Sequence, residues 1–143
     1  MISPFSYPLR GAVALLGGVT LATMALAKVG PFSLTNVSQE LVRAYNREDA
    51  PALHELLAPS LKAKVTVEAV RGTLRLCRVL TYNIYRISTP VWGGRRYGYF
   101  AVYPETKVFE MHLEIDDDEK IVHWVITDDL EANPQQCRIS YLD

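Results

Sequence analysis

The chain has 143 residues, 49% of them hydrophobic, which is enough for one globular domain with a short additional segment. Fifteen Lys and Arg residues against 16 Asp and Glu residues give a net charge of −1, which argues against a nucleic-acid-binding protein. The sequence also lacks a glycine-rich phosphate loop, a serine nucleophile elbow and a Cys-x-x-Cys pair, so no motif indicates a particular type of reaction.

The N-terminal region has the layout of a targeting segment. Residues 1–10 form a short n-region with one positive charge, and the apolar block at 11–29 follows, uncharged as far as Ala27. Ala25-Leu26-Ala27 matches a signal-peptidase site, so a signal peptide cleaved after Ala27 is one interpretation. The other is a single transmembrane anchor, although 17 residues at ~1.5 Å each reach only ~26 Å of a ~30 Å hydrocarbon core. Both interpretations place the rest of the chain outside the cytoplasm, either on the periplasmic side of the inner membrane or free in the periplasm.

The region after this block predicts three helices. A first amphipathic helix runs through Tyr45 and ends at the polar run 46–49. A second helix begins at Ala50, with Pro51 in its first turn, where a missing N–H costs little, and Pro59 interrupts it.

A third helix is predicted from Val67 to about Leu80, with Thr66 as its N-cap. Its apolar positions form a stripe that faces a core: Val67, Val70, Leu74 and Cys77. Its arginines form a ridge beside that stripe: Arg71, Arg75 and Arg78. The ridge is interpreted as a solvated face, and the alternative is a docking surface for an acidic partner or lipid phosphates.

After Leu80 the hydrophobic period changes from helical to alternating, which predicts strands. Residues 82–89 and 95–103 form two strands around a turn at 90–94. Residues 107–127 are predicted to form a hairpin around the acidic tetrad 116–119, and residues 131–143 a C-terminal strap.

The predicted hairpin register pairs Ile115 with Lys120, Leu113 with Val122, Met111 with Trp124, and His112 with His123. Side chains alternate across a strand, so Met111, Leu113 and Trp124 share one apolar face that the helices must cover. The two imidazoles then lie on the opposite face.

Helices followed by strands indicate an α+β fold with three helices packed on a curved four-stranded antiparallel sheet. This layout resembles the nuclear transport factor 2-like superfamily, also called cystatin-like, and within it small bacterial extracytoplasmic domains of unassigned function. The segments that carry the resemblance are Arg43-Ala-Tyr-Asn-Arg-Glu-Asp49, Ala52-Leu-His-Glu-Leu-Leu-Ala-Pro-Ser-Leu-Lys62, Thr66-Val-Glu-Ala-Val70 and Lys120-Ile-Val-His-Trp-Val-Ile126. The resemblance implies a cone-shaped domain at 33–130 and does not choose a function, because members include enzymes, binding proteins and accessory domains of membrane complexes.

Enzymes of this superfamily work with an acid, a His or a Tyr inside the cone. The polar residues nearest to such a pocket are predicted to be Tyr45, Asp49, Tyr85 and Tyr99. They do not match the enzyme pattern residue by residue, so no catalytic residue and no cofactor are predicted.

Aromatic and arginine side chains are the main candidates for protein binding, because both are enriched at the centres of interfaces. The candidates on and around the first two strands are Tyr82, Tyr85, Trp92, Arg95, Arg96, Tyr97, Tyr99 and Tyr103, with the helical ridge of Arg71, Arg75 and Arg78 added to them. The alternative is that half of these aromatic side chains point into the domain and pack there.

Two further groups carry recognisable chemistry. His112 and His123, with Glu110 and Glu114 beside them, form a weak candidate for a zinc site. The alternative is an ordinary exposed sheet face on which polar and apolar residues mix. Cys77 and Cys137 are the only cysteines, and in an exported chain an even number predicts a disulfide, here between the third helix and the strap. The alternative is a buried Cys77 and a free Cys137.

The leading functional hypothesis is a non-catalytic extracytoplasmic protein-binding domain, an accessory subunit of an inner-membrane complex attached through residues 11–29. Its partners are then other protein subunits and the membrane. The first alternative is a periplasmic carrier of a small apolar ligand in the cone, and the second is an isomerase or dehydratase.

Overall fold

The computed structural model of the chain describes residues 29–105, 107–128 and 137–140, which form helices followed by strands. The helices are α1 (Ser33–Asn46), α2 (Ala50–Leu56), α3 (Pro59–Lys62) and α4 (Val67–Thr81). The strands are β1 (Ile84–Ile87), β2 (Trp92–Gly93), β3 (Tyr97–Pro104), β4 (Phe109–Ile115), β5 (Ile121–Thr127) and β6 (Arg138–Ser140). The predicted α+β class is confirmed.

The described strands form one antiparallel sheet in the order β1-β3-β4-β5-β6, with β2 also paired to β3. This sheet has two more strands than predicted. The strand β2 lies in the predicted turn 90–94, and β6 lies in the predicted strap 131–143. The short β6 pairs with His123, Trp124 and Val125, so the middle of β5 is paired on that side.

The second predicted helix is divided at the position of Pro59. Leu57 and Ala58 adopt extended backbone angles between α2 and α3. The Ala58 N–H donates to the Ile121 carbonyl at 2.8 Å, which ties this break to the start of β5. Asp49 and Thr66 cap α2 and α4 through their side chains, which confirms the predicted cap of the third helix at Thr66.

The helices cover one face of the sheet, here called the inner face. Its fully buried side chains include Phe100, Met111, Leu113, Ile121 and Trp124. They form one hydrophobic cluster with helical residues such as Leu41, Tyr45, Leu53, Leu61 and Leu74. The prediction that Met111, Leu113 and Trp124 share a covered face is therefore confirmed.

The predicted hairpin register is wrong by two residues. The observed pairs are Met111 with Ile126, His112 with Val125, Leu113 with Trp124 and Ile115 with Ile121. The connection between the strands holds one residue more than predicted, because the Asp116 N–H donates to the Lys120 carbonyl and Glu119 adopts a left-handed conformation with φ 59°. A bulge between Glu114 and Ile115 in the ladder adds the second residue. Over most of the ladder the shift is two residues, so Met111, His112, Leu113, His123 and Trp124 keep their predicted faces. Beyond the bulge the shift is one residue, and Ile121, predicted on the outer face, is buried in the core.

The predicted disulfide is confirmed: Cys77 of α4 is bonded to Cys137, whose carbonyl accepts the Ile126 N–H at the start of β6. Of the predicted leader, the n-region at 1–10 and the apolar block at 11–29, residues 1–28 lie outside the described residues. Val29, predicted as the last residue of that block, is buried in the hydrophobic cluster of the domain. Among the helices that the structure describes, none combines the length and the hydropathy needed to cross a membrane.

Candidate functional site

The sheet face that points away from the helices, here called the outer face, carries a row of aromatic and imidazole rings. The row runs across four strands, from Trp92 on β2 through Tyr99 and His112 to His123. The ring centroids of Trp92 and Tyr99 lie 5.1 Å apart, and those of Tyr99 and His112 lie 4.5 Å apart with the planes within 3°. The His112 and His123 centroids are separated by 4.9 Å. We call these four residues the ring row.

Strand pairing explains why the row is continuous. Trp92 pairs with Tyr99, and Tyr99 pairs with His112, so three of its side chains stand side by side on one face. His123 is not the direct partner of His112 but its diagonal neighbour, since the corrected register places Val125 opposite His112. Tyr97 adds a further ring, with its centroid 5.9 Å from that of Trp92.

Gly93 allows Trp92 to reach this position. Its backbone φ is +144°, a region that residues with a side chain rarely adopt. A Cβ atom at Gly93 would also overlap the backbone of Tyr97 and Gly98 across the ladder. The glycine therefore lets β2 approach β3 closely, and the preceding tryptophan is placed on the outer face.

An open groove of about 700 Å³ lies beside the ring row. Its lining includes Val91, Trp92, Tyr99, Ala101, Val108 and Glu110. Along β3 the outward positions are Tyr97, Tyr99, Ala101 and Tyr103, so Ala101 is the small residue in a series of tyrosines. The groove exists at Ala101 because a methyl group stands where its neighbours have rings.

The groove has two carboxylates at its border, and their surroundings differ. Asp128 forms an ion pair with Lys107, and this contact holds the pKa of the Asp128 carboxyl below its usual value. Glu110 lies opposite Ala101 and Thr127 on the outer face, and within the described ranges it makes no hydrogen bond or ion pair. Glu110 is thus the carboxylate of the groove that is not neutralised by a described cation.

His112 is partly buried within the ring row. This burial lowers the pKa of the imidazole below 6.5, and the nearby carboxylates of Glu114 and Glu110 oppose the shift. The imidazole is therefore neutral at pH 7 and can stack on Tyr99 as an uncharged ring.

We expect this lowered pKa to make the stability of the domain depend on pH. As the pH is lowered, the imidazole of the unfolded chain takes up a proton before that of the folded domain does. The free energy of unfolding therefore decreases as the pH is lowered, until the pKa of the folded state is passed. The variant His112→Phe keeps a ring against Tyr99 but does not titrate. Urea unfolding between pH 7.5 and 4.5 should therefore show a steeper loss for the wild type, and parallel profiles would contradict the role of His112.

The weak zinc candidates are only partly brought together. His112 and His123 are adjacent, but His123 Nδ1 lies 3.0 Å from Ser140 Oγ, and Glu110 and Glu114 occupy separate rows of the sheet. Among the residues described here, no group of three or more His, Cys, Asp or Glu side chains has the geometry to hold a metal ion.

The predicted aromatic candidates separate into two sets. Trp92, Tyr97 and Tyr99 meet on the outer face. Tyr82 is instead the C-cap that follows α4, and Tyr85 donates a hydrogen bond to Glu105 at 2.6 Å near the sheet edge. Tyr103 also lies on β3, where the Arg86 guanidinium carbon stands 4.0 Å from its ring centroid.

The predicted arginines do not form one surface. Arg71 pairs with Glu68 at 3.1 Å, and Arg78 pairs with Glu48 at 3.2 Å, both on the helical side of the domain. Arg75 is exposed on α4. The strand pair is divided too: Arg96 forms an ion pair with Asp117, and Arg95 is exposed.

Two of the residues considered for an enzyme pocket, Tyr45 and Asp49, stabilise the fold instead. Tyr45 is fully buried, its hydroxyl lies 2.5 Å from Thr81 Oγ1, and burial raises its pKa. Asp49 accepts the Ala52 N–H at 3.0 Å as the cap of α2. Neither side chain lines the groove.

Sequence reasoning missed Ala101 and Glu110 as a pair. Their signal was present, since Ala101 interrupts an alternating series of tyrosines and Glu110 alternates with the apolar residues of β4. Only the strand register shows that the two residues lie opposite each other.

The chain matches no protein-family model, no curated protein and no solved structure.

Proposed function

We propose that this chain is a non-catalytic protein-binding accessory domain and that its partner docks on the outer face of the sheet. One observation carries the proposal: the ring row places Trp92, Tyr99, His112 and His123 in continuous contact beside an open groove.

The exposure of these rings supports an interface. Trp92 is 64% exposed and Tyr97 is 40% exposed, although their ring centroids lie only 5.9 Å apart. Single exposed apolar residues are common on protein surfaces, but adjacent ones with large rings mark binding surfaces. Tryptophan and tyrosine are also the residues that contribute most binding energy in measured interfaces.

The packing of the inner face supports this proposal over the carrier and enzyme alternatives. Both alternatives need open space between the helices and the sheet. At that place Met111, Leu113 and Trp124 are fully buried and belong to one cluster with the helical side chains. We therefore propose no ligand or reaction inside the domain.

We further propose the setting for this interface. The disulfide between Cys77 and Cys137 supports an oxidising compartment outside the cytoplasm. The sequence of the leader supports attachment at 11–29, or release after Ala27, and the layout supports a cone-shaped nuclear transport factor 2-like domain. The partner is then another protein subunit of an inner-membrane complex.

Co-purification of the full chain from detergent-solubilised membranes tests the proposal. The double variant Trp92→Ala/Tyr99→Ala should lose a partner that the wild type retains. Tyr85→Ala is the matched control, because Tyr85 is also 64% exposed but lies away from the groove. Equal recovery of the partner by the wild type and the double variant would overturn the proposal, as would its loss in the control alone.

A further inference from the structure

We infer that the groove receives a cationic side chain from the partner, an arginine guanidinium above all, with Glu110 as its counter-charge and Trp92 and Tyr99 as its aromatic wall. This inference rests on the proposed protein-binding function and adds the chemistry of the partner.

The first argument is charge complementarity. The groove walls are apolar and aromatic apart from two carboxylates, and Lys107 already neutralises Asp128. Glu110 has no such partner within the described ranges, yet it is partly buried opposite Ala101. A partner that covers the groove with apolar groups alone would bury this carboxylate unpaired, which is costly, whereas a cation would compensate its charge.

The second argument is the shape of the wall. The rings of Trp92 and Tyr99 are tilted by 45° with their centroids 5.1 Å apart, and both line the groove. One face of the Tyr99 ring is already stacked on His112, whereas Trp92 is 64% exposed. A planar guanidinium can stack on the Trp92 indole, contact the edge of Tyr99 and hydrogen-bond to a carboxylate at the same time. An ammonium group offers the charge without the planar stacking surface, so arginine fits better than lysine.

The third argument is that the same face already holds a guanidinium. Arg86 stacks on Tyr103, two positions along β3 from Ala101, with its guanidinium carbon 4.0 Å from the ring centroid. At Ala101 the part of the chain that the structure describes supplies neither a ring nor an arginine. An arginine from a partner would therefore add at Ala101 a guanidinium–ring contact of the kind that Arg86 and Tyr103 make within this chain.

A pair of short peptides tests the inference on the full chain in detergent. The first probe is acetyl-Val-Arg-Val-amide, and the second replaces arginine with citrulline, which has nearly the same shape but no charge. Binding is followed by the indole N–H signals in two-dimensional NMR, where a Trp92→Phe variant identifies the signal of Trp92. The arginine peptide should move the Trp92 signal in a saturable way, with an affinity roughly tenfold above that of the citrulline peptide.

Two variants and one control test the charge of Glu110 and the open space at Ala101 separately. Glu110→Gln should reduce the affinity for the arginine peptide to that for the citrulline peptide, whereas Glu114→Gln, two rows further along β4 beyond His112, should change it less than about twofold. Ala101→Leu should abolish binding of both peptides by filling the groove. Equal binding of the two peptides, no effect of Glu110→Gln, or no shift of the Trp92 signal at millimolar peptide would each overturn the inference.

The co-purification experiment distinguishes this failure from failure of the proposed function. A partner that is lost with Trp92→Ala/Tyr99→Ala but fully retained with Glu110→Gln would leave the function standing and reject the arginine. A partner retained by all of these variants would reject the interface itself.

Discussion

Replacing Trp124 with alanine is expected to lower the free energy of unfolding by about 3–5 kcal/mol, the largest effect of any single substitution considered for this domain. Trp124 has no solvent exposure and lies among the side chains of the inner face. Its ring meets Tyr45 edge to face, with the centroids 6.1 Å apart. Removal of the indole takes away this contact and leaves a cavity that the surrounding helices can close only partly.

The variant Trp124→Phe should cost much less, about 1–2 kcal/mol. The indole Nε1 is buried without a hydrogen-bond partner in the described structure. Phenylalanine removes this unsatisfied donor, and the resulting gain offsets part of the loss of packing. The order of stability is therefore wild type, then phenylalanine, then alanine, with the larger step between the last two.

Urea unfolding monitored by circular dichroism measures these differences. The second tryptophan provides a matched control: Trp92 is 64% exposed, and Trp92→Ala should change stability by no more than about 0.5 kcal/mol. An unfolding midpoint for Trp124→Ala close to that of Trp92→Ala would show that Trp124 is not the central core residue described here.

Loss of the disulfide is expected to produce the second large effect. The bond between Cys77 and Cys137 closes a loop with a sequence separation of 60 residues. Without the bond, the unfolded chain gains conformational entropy, and by the chain-entropy estimate this lowers the free energy of unfolding by about 4 kcal/mol. The double variant Cys77→Ala/Cys137→Ala should show this loss, and β6 should lose protection against hydrogen exchange before β5 does.

A reducing agent gives the control for this prediction. Dithiothreitol should destabilise the wild type by a similar amount and leave the double variant unchanged. Stabilities that differ by less than about 1 kcal/mol between the oxidised wild type and the double variant would mean that the pairing of β5 with β6 alone holds the C-terminal strand.

The candidate site could be predicted from the sequence only in part. Alternation along 95–103 indicated that Tyr97 and Tyr99 share a face, and their type indicated binding. Nothing in the sequence showed that the segment at Trp92 folds back as β2 onto β3, because that step depends on the backbone conformation of Gly93. The hairpin register was equally out of reach, since it depends on a left-handed Glu119 and a bulge that leave no hydrophobic pattern.

The sequence by itself determined that helices precede strands, the apolar stripe of α4 and the division of Met111 and His112 between two faces. These features follow from local periodicity, which each segment carries within itself. The tertiary structure alone decided which outward side chains become neighbours, including Ala101 and Glu110 at the groove and Trp92 and Tyr99 in the ring row. Such neighbours come from segments far apart in the chain, and only the strand pairing and the packing of the whole domain bring them together.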